Sequence, residues 1–263
     1  MVSHRPVVVE IHNCNWEPFS VPAKEVNAAV IFAVYNMDEN DYEFVKRWSA
    51  TIPFYIVNNG VPTKWVNDAQ VLPNVKVLVR ENVGHDVAAW RNGMREWDAE
   101  LSTKDVVAFV NNSCVYYIDL HKIMNNAMDY DMYGLSQDTK PTKMFRHIQS
   151  VFIVINKRLY NSEFFKEHWN NLRDDKGHRY AVMNHEVGFT QKAIKRGYKL
   201  GVYDLLNGNT LYKEDPKTDE YKREFIKKYD LSYNTRDAPN VLREYITNNK
   251  SKGYDVVDLT NPE

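Results

Sequence analysis

The sequence predicts an α/β fold: a Rossmann-type, mostly parallel sheet with helices on both faces, followed by a C-terminal helical extension. Three observations carry this. Strand-length apolar runs alternate with amphipathic helical spans from residue 27 to residue 110, the order expected of a parallel sheet with helical crossovers. The runs are continuously apolar rather than alternating, as in strands covered on both faces. Each run then stops at asparagine, a residue that favours turns and caps.

In chain order, "NAAVIFAVY" (27–35) reads as the first strand and "NDYEFVKRWSAT" (40–51) as a helix with Tyr42, Val45 and Trp48 on one face. "PFYIV" (53–57) is the second strand, and a loop or short helix leads to "NVKVLVR" (74–80), the third. "DVAAWRNGMREWDAEL" (86–101) has Ala89, Trp90, Met94, Trp97 and Leu101 at helical spacing, and "DVVAFV" (105–110) is the fourth strand. After residue 115 the rhythm changes. A short helix over "IDLHKIMNNAM" precedes two strands, "YDMYGLSQ" and "SVFIVIN", with a polar loop between them. Helices are predicted over 157–172 and 184–197, the second ended by Gly197 as its C-cap, and "YKLGVY" is a last strand.

The predicted organisation is an N-terminal arm (1–26), one catalytic domain (27–213) and a C-terminal helical extension (214–263) with charged helices near 218–229 and 239–248. The domain divides into a nucleotide-binding half (27–117) and an acceptor half (118–213). With 263 residues, 43% hydrophobic and 26% charged, there is material for a full core. A net charge of −1 gives no basic excess for nucleic acid. No run approaches the ~18 apolar residues of a membrane span. Two cysteines, Cys14 and Cys114, make no disulfide framework and fit a reducing, cytoplasmic setting. No glycine-rich dinucleotide or P-loop fingerprint occurs, which argues against an oxidoreductase.

Ligands of open parallel sheets sit outside the carboxyl ends of the strands. Those ends carry Tyr35-Asn36, Asn58-Asn59-Gly60, Asn82-Val83-Gly84-His85-Asp86 and Asn111-Asn112-Ser113. Amides donate and accept, so a row of them suits bases, riboses and sugar hydroxyls. Taken singly, each asparagine is also an ordinary turn residue, and Asp86 an ordinary helix cap.

"NVGHDVAAWRNGM" followed by "DVVAFVNNSCVYY" resembles the nucleotide-sugar half of a GT-A fold glycosyltransferase, as in family 2 enzymes. The nearer resemblance is to the rhamnan-synthesis F family. Its Asn-x-Gly-Arg-Asp-Val segment is similar to residues 82–87, with His85 in place of arginine. "HIQSVFIVINKRLYNSEFFKEHW" (147–169) and "HEVGFTQKAIKRGYKL" (185–200) resemble its later segments. The resemblance covers about residues 27–203 and leaves out the arm and the last ~50 residues.

The resemblance implies a nucleotide-sugar donor, a glycan acceptor and no nucleic-acid partner. It sets Asn111-Asn112-Ser113 where the family has Asp-x-Asp, whose carboxylates hold Mn²⁺ or Mg²⁺ against a diphosphate. With both carboxylates replaced, the reading is that no cofactor is required. The alternatives are a weakly held cation on groups such as Asp86, His185 and Glu186, or Arg91, Lys143 and Arg146 in its place. Donor contacts are expected from Asn36, Asn58, Asn59, Asp86, Arg91, Asn111, Asn112 and Ser113. His85, His147 and Gln149 are expected at the substrate. Glu186 is the expected base of an inverting transfer, with His185 beside it. The competing reading is a binding protein on the same fold that has lost catalysis.

Overall fold

The computed structural model of the protein describes residues 26–116, 118–135, 137–138, 147–173, 178–202 and 225–227. Strands β1 (Ala28–Val34), β2 (Phe54–Asn59), β3 (Val75–Arg80) and β4 (Val106–Asn111) alternate with helices α1 (Glu39–Trp48), α2 (Lys64–Gln70) and α3 (His85–Leu101). β5 (Cys114–Tyr116), α4 (Leu120–Ala127), β6 (Met132–Gly134), β7 (Gln137–Asp138), β8 (His147–Ile148) and β9 (Phe152–Asn156) follow. Helices α5 (Lys157–Tyr160), α6 (Glu163–Asn170) and α7 (His178–Ala181) lead into a π-helix (Val182–Val187). Then come α8 (Gly188–Lys195), β10 (Leu200–Val202) and β11 (Phe225–Lys227).

Seven strands form one sheet in the order β10-β6-β9-β4-β1-β2-β3. Every pairing in it is parallel except those of β9, which runs against both β4 and β6. The sheet therefore crosses both predicted halves of the domain. β1 and β4 are buried along their whole length, which is why they read as unbroken apolar runs.

Alternation along β1 feeds two cores. Val30, Phe32 and Val34 join Phe44 and Val45 of α1, Val66 of α2 and Ile123 of α4 on one face. Ala29, Ile31 and Ala33 join Trp90 and Trp97 of α3, Trp169 of α6 and Phe189 of α8 on the other. Dense aromatic contact fills the second core; Phe109 stacks on Trp169 at 5.9 Å between centroids. Trp90 is buried here, and its indole N–H donates to the Val110 carbonyl at 3.0 Å.

Three expectations need correction. The helix expected over 157–172 is two helices, because Ser162 caps a new start by accepting from the Phe165 amide. The helix expected from 184 begins at His178 and passes through a π-helical turn. Residues 225–227, inside a span expected to be helical, form strand β11 antiparallel to β5. The rest of 214–263, the arm up to residue 25, and Lys143 and Arg146 lie outside the described residues. Gly197 ends the last long helix as expected, with φ +78°.

Gly93 explains part of the "WRNGM" motif. A Cβ there would lie 2.9 Å from Val57 Cγ2 and 3.1 Å from Ile31 Cγ2, so glycine lets α3 press onto the sheet. Gly93→Ala is expected to destabilise the fold by about 1–3 kcal/mol through overpacking, read as a lower urea midpoint with unchanged slope.

Candidate active site

Helix α3 follows β3 on one side of β1, and β4 returns on the other. The sheet order thus reverses between β1 and β4, the place where such sheets open a crevice at their carboxyl ends. β4 ends there in the stretch Asn111-Asn112-Ser113. Where such strands end, the backbone groups that follow still need partners, and the two side-chain amides supply them to neighbouring segments. Asn112 Oδ1 accepts from the Tyr35 amide at 3.1 Å, while its Nδ2 donates to the Tyr35 carbonyl at 3.0 Å and to Asp41 Oδ2 at 2.9 Å. The side chain prolongs the β1–β4 ladder by one rung. A carboxylate at Asn112 could not donate, and would face Asp41, which is only 2% exposed.

Asn111 faces the other neighbour. Its Oδ1 accepts from the Ser113 amide at 3.1 Å and from the Ser113 hydroxyl at 2.5 Å. Its Nδ2 donates to the Ser150 carbonyl at 3.3 Å. Because β9 is antiparallel, the segment before it, residues 147–151, arrives at the carboxyl end of β4. Ser150 Oγ donates to Glu186 Oε1 at 2.8 Å, and His147 Nε2 lies 3.6 Å from Glu186 Oε2. One chain of contacts therefore joins Ser113, Asn111, Ser150, Glu186 and His147. Ser150 was not singled out from sequence; the signal was present in the Gln-Ser pair that precedes the apolar strand.

Glu186 sits in the π-helix. The Gly188 amide bonds to the Met183 carbonyl, five residues back, and a Cβ at Gly188 would come within 2.9 Å of that oxygen. π-turns of this kind are common at functional sites. This one sends adjacent side chains apart: Glu186 to Ser150 and His147, His185 to α6. His185 is buried, stacks on Trp169 and meets His168 Nε2 through its Nδ1 at 3.0 Å.

The remaining candidates divide. Asn58 is buried, its Nδ2 donating to the Gly60 carbonyl at 2.8 Å, and its Oδ1 has no hydrogen-bond partner among the described residues. Asn59 is held by the Arg80 guanidinium at 2.5 Å. Asn36 is exposed at the end of β1 with φ +51°. Gly84 and His85 both have positive φ, at 78° and 57°, and Gly84 gives α3 no side-chain cap. This 17-residue helix therefore starts at the crevice with Asp86 in its first turn. Gln149 is buried beside Ser150 in sequence. Arg91 is not brought to the crevice: its guanidinium donates to the Leu172 carbonyl at 3.0 Å.

The residues at the two Asp-x-Asp positions do not fit a hard divalent cation. They offer neutral oxygens already engaged with each other, whereas Mn²⁺ and Mg²⁺ seek carboxylates. Among the described residues, no group of three or more His, Cys, Asp or Glu side chains could hold a metal ion. Nor is any helix of the described residues long and apolar enough to cross a membrane.

Comparison with known families gives a match to Rhamnan synthesis protein F over residues 56–251. The chain belongs to this family. The match starts within β2 and runs past residue 203, so most of the C-terminal region expected to lie outside the family is inside it. No curated protein matches the chain by sequence. Among solved structures, it is similar to the glycosyltransferase GlyE of Streptococcus pneumoniae TIGR4 at 12% identity and a TM-score of 0.37. That likeness covers 89% of this chain and 66% of the pneumococcal protein, so the chain spans about two-thirds of that length. A cytidylyltransferase from Leptospira borgpetersenii serovar Hardjo-bovis (strain JB197) shares 9% identity over 89% of this chain and 99% of its own, with a TM-score of 0.46. At these scores the likeness says nothing of activity.

Burial, followed by the neighbouring imidazole and Lys192, lowers His168 from its ordinary 6.5 to about 3. Burial, followed by Lys192 and Arg91, lowers His185 to about 4. Both rings stay neutral in the fold, while the unfolded chain protonates them near 6.5. Their contribution to stability is therefore full above pH 6.5 and is lost as pH falls towards about 4 and then about 3. Urea unfolding between pH 7 and pH 4.5 is expected to show falling stability, with a shallower fall in His168→Gln.

Proposed function

We propose that the protein is a glycosyltransferase that moves a sugar from a nucleoside-diphosphate donor to a glycan acceptor, inverting the anomeric carbon. Family membership supports the transferase class. The placement of Glu186 is the observation that carries the mechanism. Its carboxylate stands at the carboxyl edge of the sheet, joined through Ser150 to the end of β4, with the side chain 19% exposed.

In this reading the donor lies along Asn36, Asn58, Asn59, Asp86 and Asn111 to Ser113. The start of α3, beside His85, supplies positive helix-end character towards the diphosphate. The acceptor approaches from the His147 and Gln149 side. Its hydroxyl oxygen attacks the anomeric carbon as the bond to the diphosphate oxygen breaks, and the hydroxyl proton passes to Glu186. Ser150 Oγ–H and the His147 ring hold the carboxylate for that transfer. A cytoplasmic place of work accords with the low cysteine content.

Glu186→Gln keeps shape and hydrogen bonding but removes the base. It is expected to bind the donor normally and to lose about 10²–10⁴-fold in transfer rate. Near wild-type transfer by this variant would remove Glu186 from the mechanism. Absence of any hydrolysis or transfer across UDP-, GDP- and dTDP-sugars would favour a binding protein instead.

Neutral oxygens at the Asp-x-Asp positions bind hard cations poorly. Transfer is therefore expected to persist measurably in EDTA. Complete loss on chelation, restored by Mn²⁺, would show a full metal site built from other residues.

A further inference from the structure

Between α6 and the segment formed by the π-helix and α8 lies a cleft of about 240 Å³. It contains none of the strand-end residues. Its charge and polarity are uneven. Lys192 of α8 and Arg196, which caps the end of that helix, are exposed and have no carboxylate within ion-pair reach among the described residues. The Arg196 guanidinium is instead laid over the Phe164 ring at 4.3 Å. Against these two cations, the described residues of the lining set one acid, Glu167. Asn171, Asn184 and Tyr180 add amides and a phenol.

One residue of the lining carries a second irregularity. His185 is 7% exposed, and its Nε2 has no hydrogen-bond partner among the described residues. A buried imidazole nitrogen without a partner is costly unless something reaches it. The other ring nitrogen of His185, Nδ1, meets His168 Nε2 at 3.0 Å.

We propose that this cleft binds a sugar unit that carries an acidic group, phosphate or carboxylate. Lys192 and Arg196 suit the oxyanion, since charge-assisted bonds to guanidinium and ammonium are the stronger ones. Glu167, Asn171 and Asn184 suit ring hydroxyls, which both donate and accept. The volume falls below the roughly 300–1,000 Å³ of drug-sized sites, which fits one ring rather than a chain. The description of that sugar as part of the glycan acceptor rests on the transferase function proposed above; the binding itself does not.

The probes are glucose 6-phosphate, glucuronate, glucose and inorganic phosphate, followed by calorimetry and by the imidazole NMR signals of His168 and His185. Saturable binding of at least one acidic sugar is expected, with both imidazole signals moving, and inorganic phosphate or glucose alone binding more weakly. The exposed double variant Lys192→Gln/Arg196→Gln is expected to weaken it by roughly 10-fold or more while leaving nucleotide binding unchanged. Three results would overturn the proposal: no binding of either acidic sugar, equal binding by inorganic phosphate, or an unchanged affinity in the double variant. Each can occur with Glu186-dependent transfer intact, so failure here is distinct from failure of the proposed reaction.

Discussion

The constraint on which the structure depends is the end of a strand buried on both faces. β4 sits mid-sheet, between β1 and β9, and its last backbone groups cannot all turn to water. The Asn111 amide donates to the Val151 carbonyl and the Asn112 amide to that of Ala33, while the Asn112 side chain imitates a peptide group towards Tyr35, just beyond β1, and gives its remaining proton to Asp41. Tyr116 does related work from β5: its buried hydroxyl stands 2.8 Å from the Asn111 carbonyl and 2.7 Å from that of Val151. Burial keeps that phenol protonated, with its pKa pushed well up. The polar tripeptide is thus a structural closure first, and the crevice is what the closure leaves open.

Only neutral side chains can fill both roles of Asn112. Asn111 and Ser113, in turn, satisfy each other and fix the Ser150 carbonyl. The polar end of β4 is therefore continuous with the carboxylate of Glu186. Position along the chain hides this, because 36 residues separate Ser150 from Glu186.

The parallel sheet was legible because burial on both faces leaves a plain mark: short, unbroken apolar runs such as 28–34 and 106–111. Asn58 and Asn111 could be placed at strand ends from the same pattern, whereas Glu186 was singled out through the family resemblance. What stayed hidden depends on long-range geometry. The antiparallel sense of β9 leaves no local signature, so Ser150 passed unremarked. Arg91 looked like a free cation near the crevice, but helical phase turns it to the Leu172 carbonyl. The π-turn includes one tight approach at Gly188, where a Cβ would crowd the Met183 carbonyl, and periodicity over a dozen residues averages such a detail away. Charge content suggested helix around 225–227, whereas pairing with β5 makes it strand.

The register of the sheet also sets an order of events during synthesis. β1 finds β4 at a separation of 78 residues, Ala28 opposite Val106, and β4 must then receive β9 from further along the chain. Loop closure over such distances is slow compared with helix formation. Until β9 arrives, the apolar run of β4 has one unpaired edge, the kind of surface that recruits other chains. A ribosome that paused between residues 111 and 152 would hold that edge open.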